Sequence, residues 1–219
     1  MTTRMTGQQR RQQLLMVAKE LFAERGYEAT SIEEIAQRAK VSKPLVYEHF
    51  GGKEGIYTVV VDREIHRLID GITMALAGDH PKVMLEQAAT ALLTYIEEES
   101  EGFRILVRDV PTNSASGMFA SVIGDIATRV EHILAEQFKA RGYDTKLAPL
   151  YAQALVGMVA QVGQWWLDVR KPGLKQVAGH LVNLAWNGLG HLETAPQRSG
   201  DKQPAKTTKG KQALKQTFA

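Results

Sequence analysis

The sequence predicts an all-α protein in which a small three-helix head carries a helix-turn-helix and a larger helical body follows, about nine helices in total. Three observations carry this. Apolar residues recur at spacings of three and four along most of the chain, no stretch alternates apolar and polar residues for long enough to argue for a sheet, and Gly and Pro punctuate the pattern at helix-length intervals.

The elements follow in order. Residues 10–24 (RRQQLLMVAKELFAE) place Leu14, Val17, Ala18, Leu21 and Phe22 on one face, and Gly26 stops that helix. Thr30 or Ser31 caps a second helix, with Glu33 and Glu34 in its first turn, where acids suit the helix dipole. Its apolar side is Ile32, Ile35, Ala36 and Ala39. Ser42 caps a third, short helix that tolerates Pro44 because first-turn amides lack intrahelical partners. Leu45, Val46 and Phe50 seal it onto the first two, leaving Lys43, Tyr47 and His49 outward. Gly51-Gly52 ends it, and a long helix begins near Lys53.

Further helices are expected at about 53–76, 82–100, 102–108, 115–141, 147–169 and 174–193, separated by Gly78 with Pro81, Pro111 with Asn113, Gly142 with Pro149, and Pro172-Gly173. Residues 1–52 then form the head, 53–195 the body, and 196–219 a basic tail without a credible core face, for which disorder is the default.

Composition narrows the function. The net charge of +3 is partitioned: residues 1–60 hold 9 Lys or Arg against 7 Asp or Glu, 61–195 hold 12 against 16, and 196–219 hold 6 against 1. Any DNA footprint is therefore expected on a small N-terminal surface rather than over the whole body. The absence of cysteine excludes disulfides, thiolate metal ligands and cysteine nucleophiles. There is no HExxH, no Gly-rich phosphate loop before a helix and no GxSxG, and the histidines lack the spacing of a metal site. No enzyme, metal or cofactor is expected. The polar N-terminus does not read as a signal peptide, and no apolar run of about 18 residues occurs, so the expected compartment is cytoplasmic.

The segment Val41–Phe50 (VSKPLVYEHF) is the most informative in the chain. A short helix, a tight turn and an exposed helix with mixed polar and aromatic residues fit a DNA-reading helix-turn-helix. Short residues at the start of the reading helix let backbone and base edges approach, and Ser42 and Lys43 meet that demand. Tyr47 projects one turn later, and Lys53 stands at the next helix's N-terminus, where free amides favour an anion.

Residues 10–57, centred on LFAERGYEATSIEEIAQRAKVSKPLVYEHFGGKEGIY, resemble the N-terminal domain of TetR-family transcriptional regulators. The resemblance implies a homodimeric DNA-binding protein, usually a repressor, released from a palindromic double-stranded operator by a small-molecule effector; the alternative is an activator or dual regulator of the same fold without small-molecule induction. Carried over by position, it implies base and phosphate contacts at Ser42, Lys43, Pro44, Leu45, Tyr47 and His49, with phosphate clamps at Thr30 or Ser31 and Lys53. Gly51-Gly52 departs from the family pattern, where a polar residue often precedes the lysine.

For the body, the last two helices are the expected dimer face: Leu155, Met158, Val159 and Val162 with Trp166 on one, and Leu181, Leu184, Ala185, Gly188 and Leu192 on the other. Gly157, Gly163 and Gly188 permit close helix approach. Trp165 and Trp166 point different ways, so at most one sits at the seam. The resemblance also implies an effector pocket between the fourth, seventh and eighth helices, roofed by the fifth and sixth. Candidates by position are Ile65, Ile69, Leu92, Tyr95, Ile96, Phe103, Leu106, Phe119, Ile123, Ile126, Tyr151 and Trp166, with Arg104, Asn113 and Tyr151 as polar fixings. Such a lining favours a largely hydrophobic ligand. Its binding would pull the fourth helix and change the spacing of the two reading helices.

Overall fold

The structure is a computed structural model that describes residues 5–78, 80–107, 116–193 and 196, with the backbone alone for 116–120. The described residues form nine α-helices: α1 (Gly7–Ala29), α2 (Ile32–Arg38), α3 (Lys43–Phe50), α4 (Lys53–Ala75), α5 (Pro81–Glu98), α6 (Ser100–Val107), α7 (Ser116–Arg141), α8 (Ala148–Val169) and α9 (Leu174–Gly190). A short 3-10 turn at Thr145–Leu147 leads into α8. No described helix is long and apolar enough to cross a membrane. The basic tail, Asn113 and the side chain of Phe119 lie outside the described residues.

Local chemistry explains the head. Thr6 and Gln9 close a reciprocal capping box that starts α1, and Gly26, with φ of 82°, breaks it where the sequence predicts. Ser31 and Glu34 form a second capping box at the start of α2. Leu14, Ala18 and Phe22 of α1 close with Ile35 of α2, Val46 of α3 and Ile56 of α4 over one fully buried core. Gly51 ends α3 in the left-handed conformation, φ 72°, a geometry that glycine adopts without strain. Gly55 then lets α4 pass the end of α3, since a Cβ there would sit 1.9 Å from the Phe50 carbonyl oxygen.

The head does not hang from α4 alone. α1 packs on both α4 and α6, so the first helix belongs to the head core and to the joint with the body. Within the body α5 is central, packed on α4, α6, α8 and α9, while α7 pairs with α8. A second small core of Leu134, Phe138, Ala148 and Ala152 closes the far end of the α7–α8 pair.

Candidate nucleic-acid interface and regulatory cavity

α3 is held by one deep anchor. Val46 is completely buried, and this forces the opposite face of α3 outward. Ser42, Lys43, Pro44 and Tyr47 are exposed on that face, while Leu45 and His49 are half-buried. Ser42 occupies the cap position through its backbone alone; its hydroxyl makes no capping hydrogen bond and remains available as a donor. Lys43 is ion-paired with Glu33 of α2. Hydrogen bonding from Lys43 holds the Glu33 carboxyl below the usual carboxylate range, and the same bond raises the lysine above its ordinary value. Tyr47 stands free of the core, with the Lys43 ammonium 5.9 Å from its ring.

The flanking residues divide. Ser31 is half-buried at the α2 N-terminus with its hydroxyl engaged by Glu34. Lys53 donates to the Glu28 carbonyl at 3.2 Å and lies 4.3 Å over the Tyr27 ring, a pose that fixes its ammonium beside the α3–α4 turn. Thr30 requires a correction. Its side chain is 2% exposed, and its hydroxyl donates to the carbonyls of Gly26 at 2.8 Å and Leu21 at 3.3 Å. It ties off the broken end of α1 and is not available to a phosphate. A residue sequence reasoning missed is Arg11, whose guanidinium lies 4.4 Å over the Phe50 ring and lines a surface groove with His49, Gly52 and Lys53. Its position one turn before Leu14 on an otherwise ordinary α1 gave no signal.

The body holds a partly open apolar cavity of about 110 Å³ between α4, α5, α7, α8 and α9, with Phe103 of α6 as one wall. Of the expected pocket residues, Leu92, Phe103, Ile123 and Ile126 line it. The others with described side chains lie outside this lining. Ile65 and Ile69 pack against the core one step around α4; the row that faces the cavity is Leu68, Ile72 and Leu76. Tyr95 turns its hydroxyl onto Glu64, and Ile96 packs where Gly163 leaves room. Leu106 is buried in the core away from the cavity, and Tyr151 stacks edge-on to Phe138. Trp166 is 1% exposed and donates its indole N–H to the Pro172 carbonyl at 2.7 Å. Arg104 is engaged by Asp168 at 3.1 Å. Gln137 is the polar side chain among the lining residues.

The residues of the expected dimer stripe differ in exposure, with Leu155, Met158, Val159, Val162 and Leu192 half-buried. Leu155 and Val159 line the cavity, Met158 and Val162 pack against the core, Leu181 and Ala185 are buried, and Leu192 joins the second core. Leu184, at 65% exposure, and Gly188 do face outward. On α8 the outward row is Leu150, Ala154, Gly157, Gln161 and Trp165, and Trp165 is half-exposed where its neighbour Trp166 is buried.

Comparison with known proteins agrees with this architecture. A family profile described as bacterial regulatory proteins of the TetR family matches residues 14–60, and one described as a tetracyclin repressor-like C-terminal domain matches residues 74–203. The chain is 32% identical over 192 residues to the HTH-type transcriptional activator FasR of Mycolicibacterium smegmatis, covering 86% of this chain and 87% of that one. It is 41% identical over 75 residues to the HTH-type transcriptional repressor Rv3405c of Mycobacterium tuberculosis, covering 34% and 38% of the two chains. The crystal structure of a TetR-like transcriptional regulator from Rhodococcus sp. RHA1 superposes with a TM-score of 0.69 at 26% identity, covering 85% of this chain and 98% of that one.

Proposed function

This chain belongs to the TetR family of transcriptional regulators, and on that premise we propose that it is a repressor released from a palindromic operator by a small, largely hydrophobic molecule. At the level of the family it is a homodimeric, ligand-responsive DNA-binding regulator. The observation that carries the reading is the outer face of α3, where Ser42, Lys43 and Tyr47 project together opposite the buried Val46. Such a face offers a hydroxyl, an ammonium and an aromatic ring to one major groove.

One head spans too few base pairs for useful specificity, so two must act together. The outward rows of α8 and α9 support a dimer there, because Leu150, Trp165 and Leu184 leave apolar surface that a second copy would cover. The cavity supports the effector's character: its walls are apolar, with Gln137 to orient one polar group. At about 110 Å³ it is smaller than the roughly 300–1,000 Å³ of typical ligand sites, so a ligand of that size would extend beyond it or displace a wall. Phe103 on the short α6 is the wall next to the head.

A second reading, activation, is favoured by one observation. A relative that matches over 86% of this chain is named an activator, whereas a relative named a repressor matches over 34% of it. The test is to select duplexes from a random pool with the full-length protein and place the selected site at and upstream of a reporter promoter. Repression predicts reduced transcription when the site overlaps the promoter. Increased transcription from an upstream site, with none reduced, would replace repression by activation. Failure to select any sequence would remove the DNA-reading function altogether.

A further inference from the structure

A carboxylate sits where the head meets the body. Glu64, on α4, is 4% exposed and is the buried charged side chain of the described core. Its Oε1 lies 2.9 Å from the ammonium of Lys19 on α1, and its Oε2 accepts the Tyr95 hydroxyl at 2.8 Å. Lys19 also reaches Glu99, at the end of α5, at 2.5 Å, and Arg67 closes the cluster on Glu99 at 2.5 Å and on Glu64 at 3.9 Å. Gly102 of α6 lies against the same carboxylate: a Cβ there would stand 2.0 Å from Oε2 and 2.8 Å from the Tyr95 oxygen. One polar knot thus joins α1, α4, α5 and α6.

The knot reaches the cavity in one step. Phe103, beside Gly102, lines the cavity and packs edge-on to Tyr95 with ring centroids 6.3 Å apart. Displacing Phe103 therefore presses on the residue that donates to Glu64. A buried ion pair contributes little net stability over an apolar packing of the same volume, and its best-attested use is to specify one arrangement over another. In that use, the knot would favour one placement of α1 on α4 and α6 over others.

Resting on the DNA-regulator reading, we propose that Glu64 is a positioning residue that latches the head to the body. With Lys19, Tyr95 and Gly102 in place it holds the two reading helices at operator spacing. Filling the cavity moves Phe103 and Tyr95, opens the latch and frees α1. Neither Glu64 nor Lys19 belongs to the DNA-facing surface, so the latch governs the fit to an operator and not attraction to DNA in general.

The test uses the full chain, an operator duplex selected by the wild-type protein and a scrambled duplex of the same length. Lys19→Met and Glu64→Gln are each expected to weaken operator binding about tenfold, while binding to the scrambled duplex stays within about twofold. Because both residues act through one knot, the double variant should lose no more than the worse single variant. Gly102→Ala, which pushes α6 off the carboxylate without changing any charge, should give the same split. Tyr95→Phe removes one hydroxyl only and should reproduce the split at a smaller size, even where a charge variant fails to fold. Operator affinity unchanged in the folded variants, or equal losses on both duplexes, would overturn the latch. A wild-type protein that selects no duplex would instead overturn the DNA-regulator reading, before any variant is made.

Discussion

The ammonium of Lys43 is ion-paired with the carboxylate of Glu33, ten positions earlier on the preceding helix. Both side chains are exposed, so the pair adds little to stability. On the proposed reading its consequence lies in binding: the charge that α3 would offer to DNA is already met by a carboxylate, which a phosphate would have to displace. Glu33→Gln should therefore strengthen operator binding by about two- to fivefold and steepen its salt dependence. Fluorescence anisotropy across a salt series measures both. Unchanged affinity and slope would mean that Lys43 does not leave Glu33 for DNA.

Thr30 and Ser31 are neighbours with separable roles. The Thr30 hydroxyl is buried on the Gly26 and Leu21 carbonyls, so Thr30→Val should cost roughly 1–3 kcal/mol of stability by orphaning those groups. Ser31→Ala removes a capping box on α2 and should cost about 1 kcal/mol. Urea unfolding reads both. A Thr30→Val protein as stable as the parent would contradict the tying role.

The outward residues of α8 and α9 should behave unlike the buried ones. Leu184→Glu and Trp165→Glu change exposed positions and are expected to shift the protein toward the 24.2 kDa monomer in sedimentation velocity, with the fold retained. Leu181→Ala, at a buried position, should instead cost about 2–5 kcal/mol of stability. A Leu184→Glu, Trp165→Glu protein that remains a dimer would place the interface elsewhere.

How much of this was legible in the sequence follows from what each residue type can signal. The head read clearly because Ser42, Pro44, Val46, Tyr47 and Gly51 each do something different at a fixed spacing, and α3 forms over Lys43–Phe50 as that spacing requires. Helix existence in the body read equally well from periodicity and punctuation. Facing did not. α8 has apolar residues on nearly every side, so Leu155 and Val159 looked like a dimer seam although they line the cavity. The outward row of Leu150, Ala154, Gly157, Gln161 and Trp165 is interrupted by a glycine and a glutamine, which weakens its apolar pattern. On α4 a shift of one position separated Ile65 and Ile69 from the true row of Leu68 and Ile72. The knot around Glu64 was invisible because its members come from four helices, and only packing brings Lys19 to Glu64 and Glu99.

Alkaline pH offers a check on the head core. Burial pushes the Tyr57 phenol up to about 12, with Tyr27 beside it as a smaller cause. The unfolded phenol ionises near pH 10 while the folded one does not, so the native state binds more protons in that interval. The stability tied to Tyr57 is present below pH 10 and is lost as pH rises toward 12. Tyr57→Phe should flatten the fall in stability between about pH 10 and 12, as measured by urea midpoints. An identical fall in the variant would show that the phenol is already solvated.

The central claim is that the outer face of α3 reads DNA, and one measurement tests it most directly: operator affinity of the Lys43→Ala, Tyr47→Ala protein beside its oligomeric state. The account predicts a loss of about 2–4 kcal/mol in specific binding, roughly a hundredfold, with the dimer and the thermal midpoint unchanged. A protein that keeps wild-type affinity for the selected operator without those two side chains would contradict it.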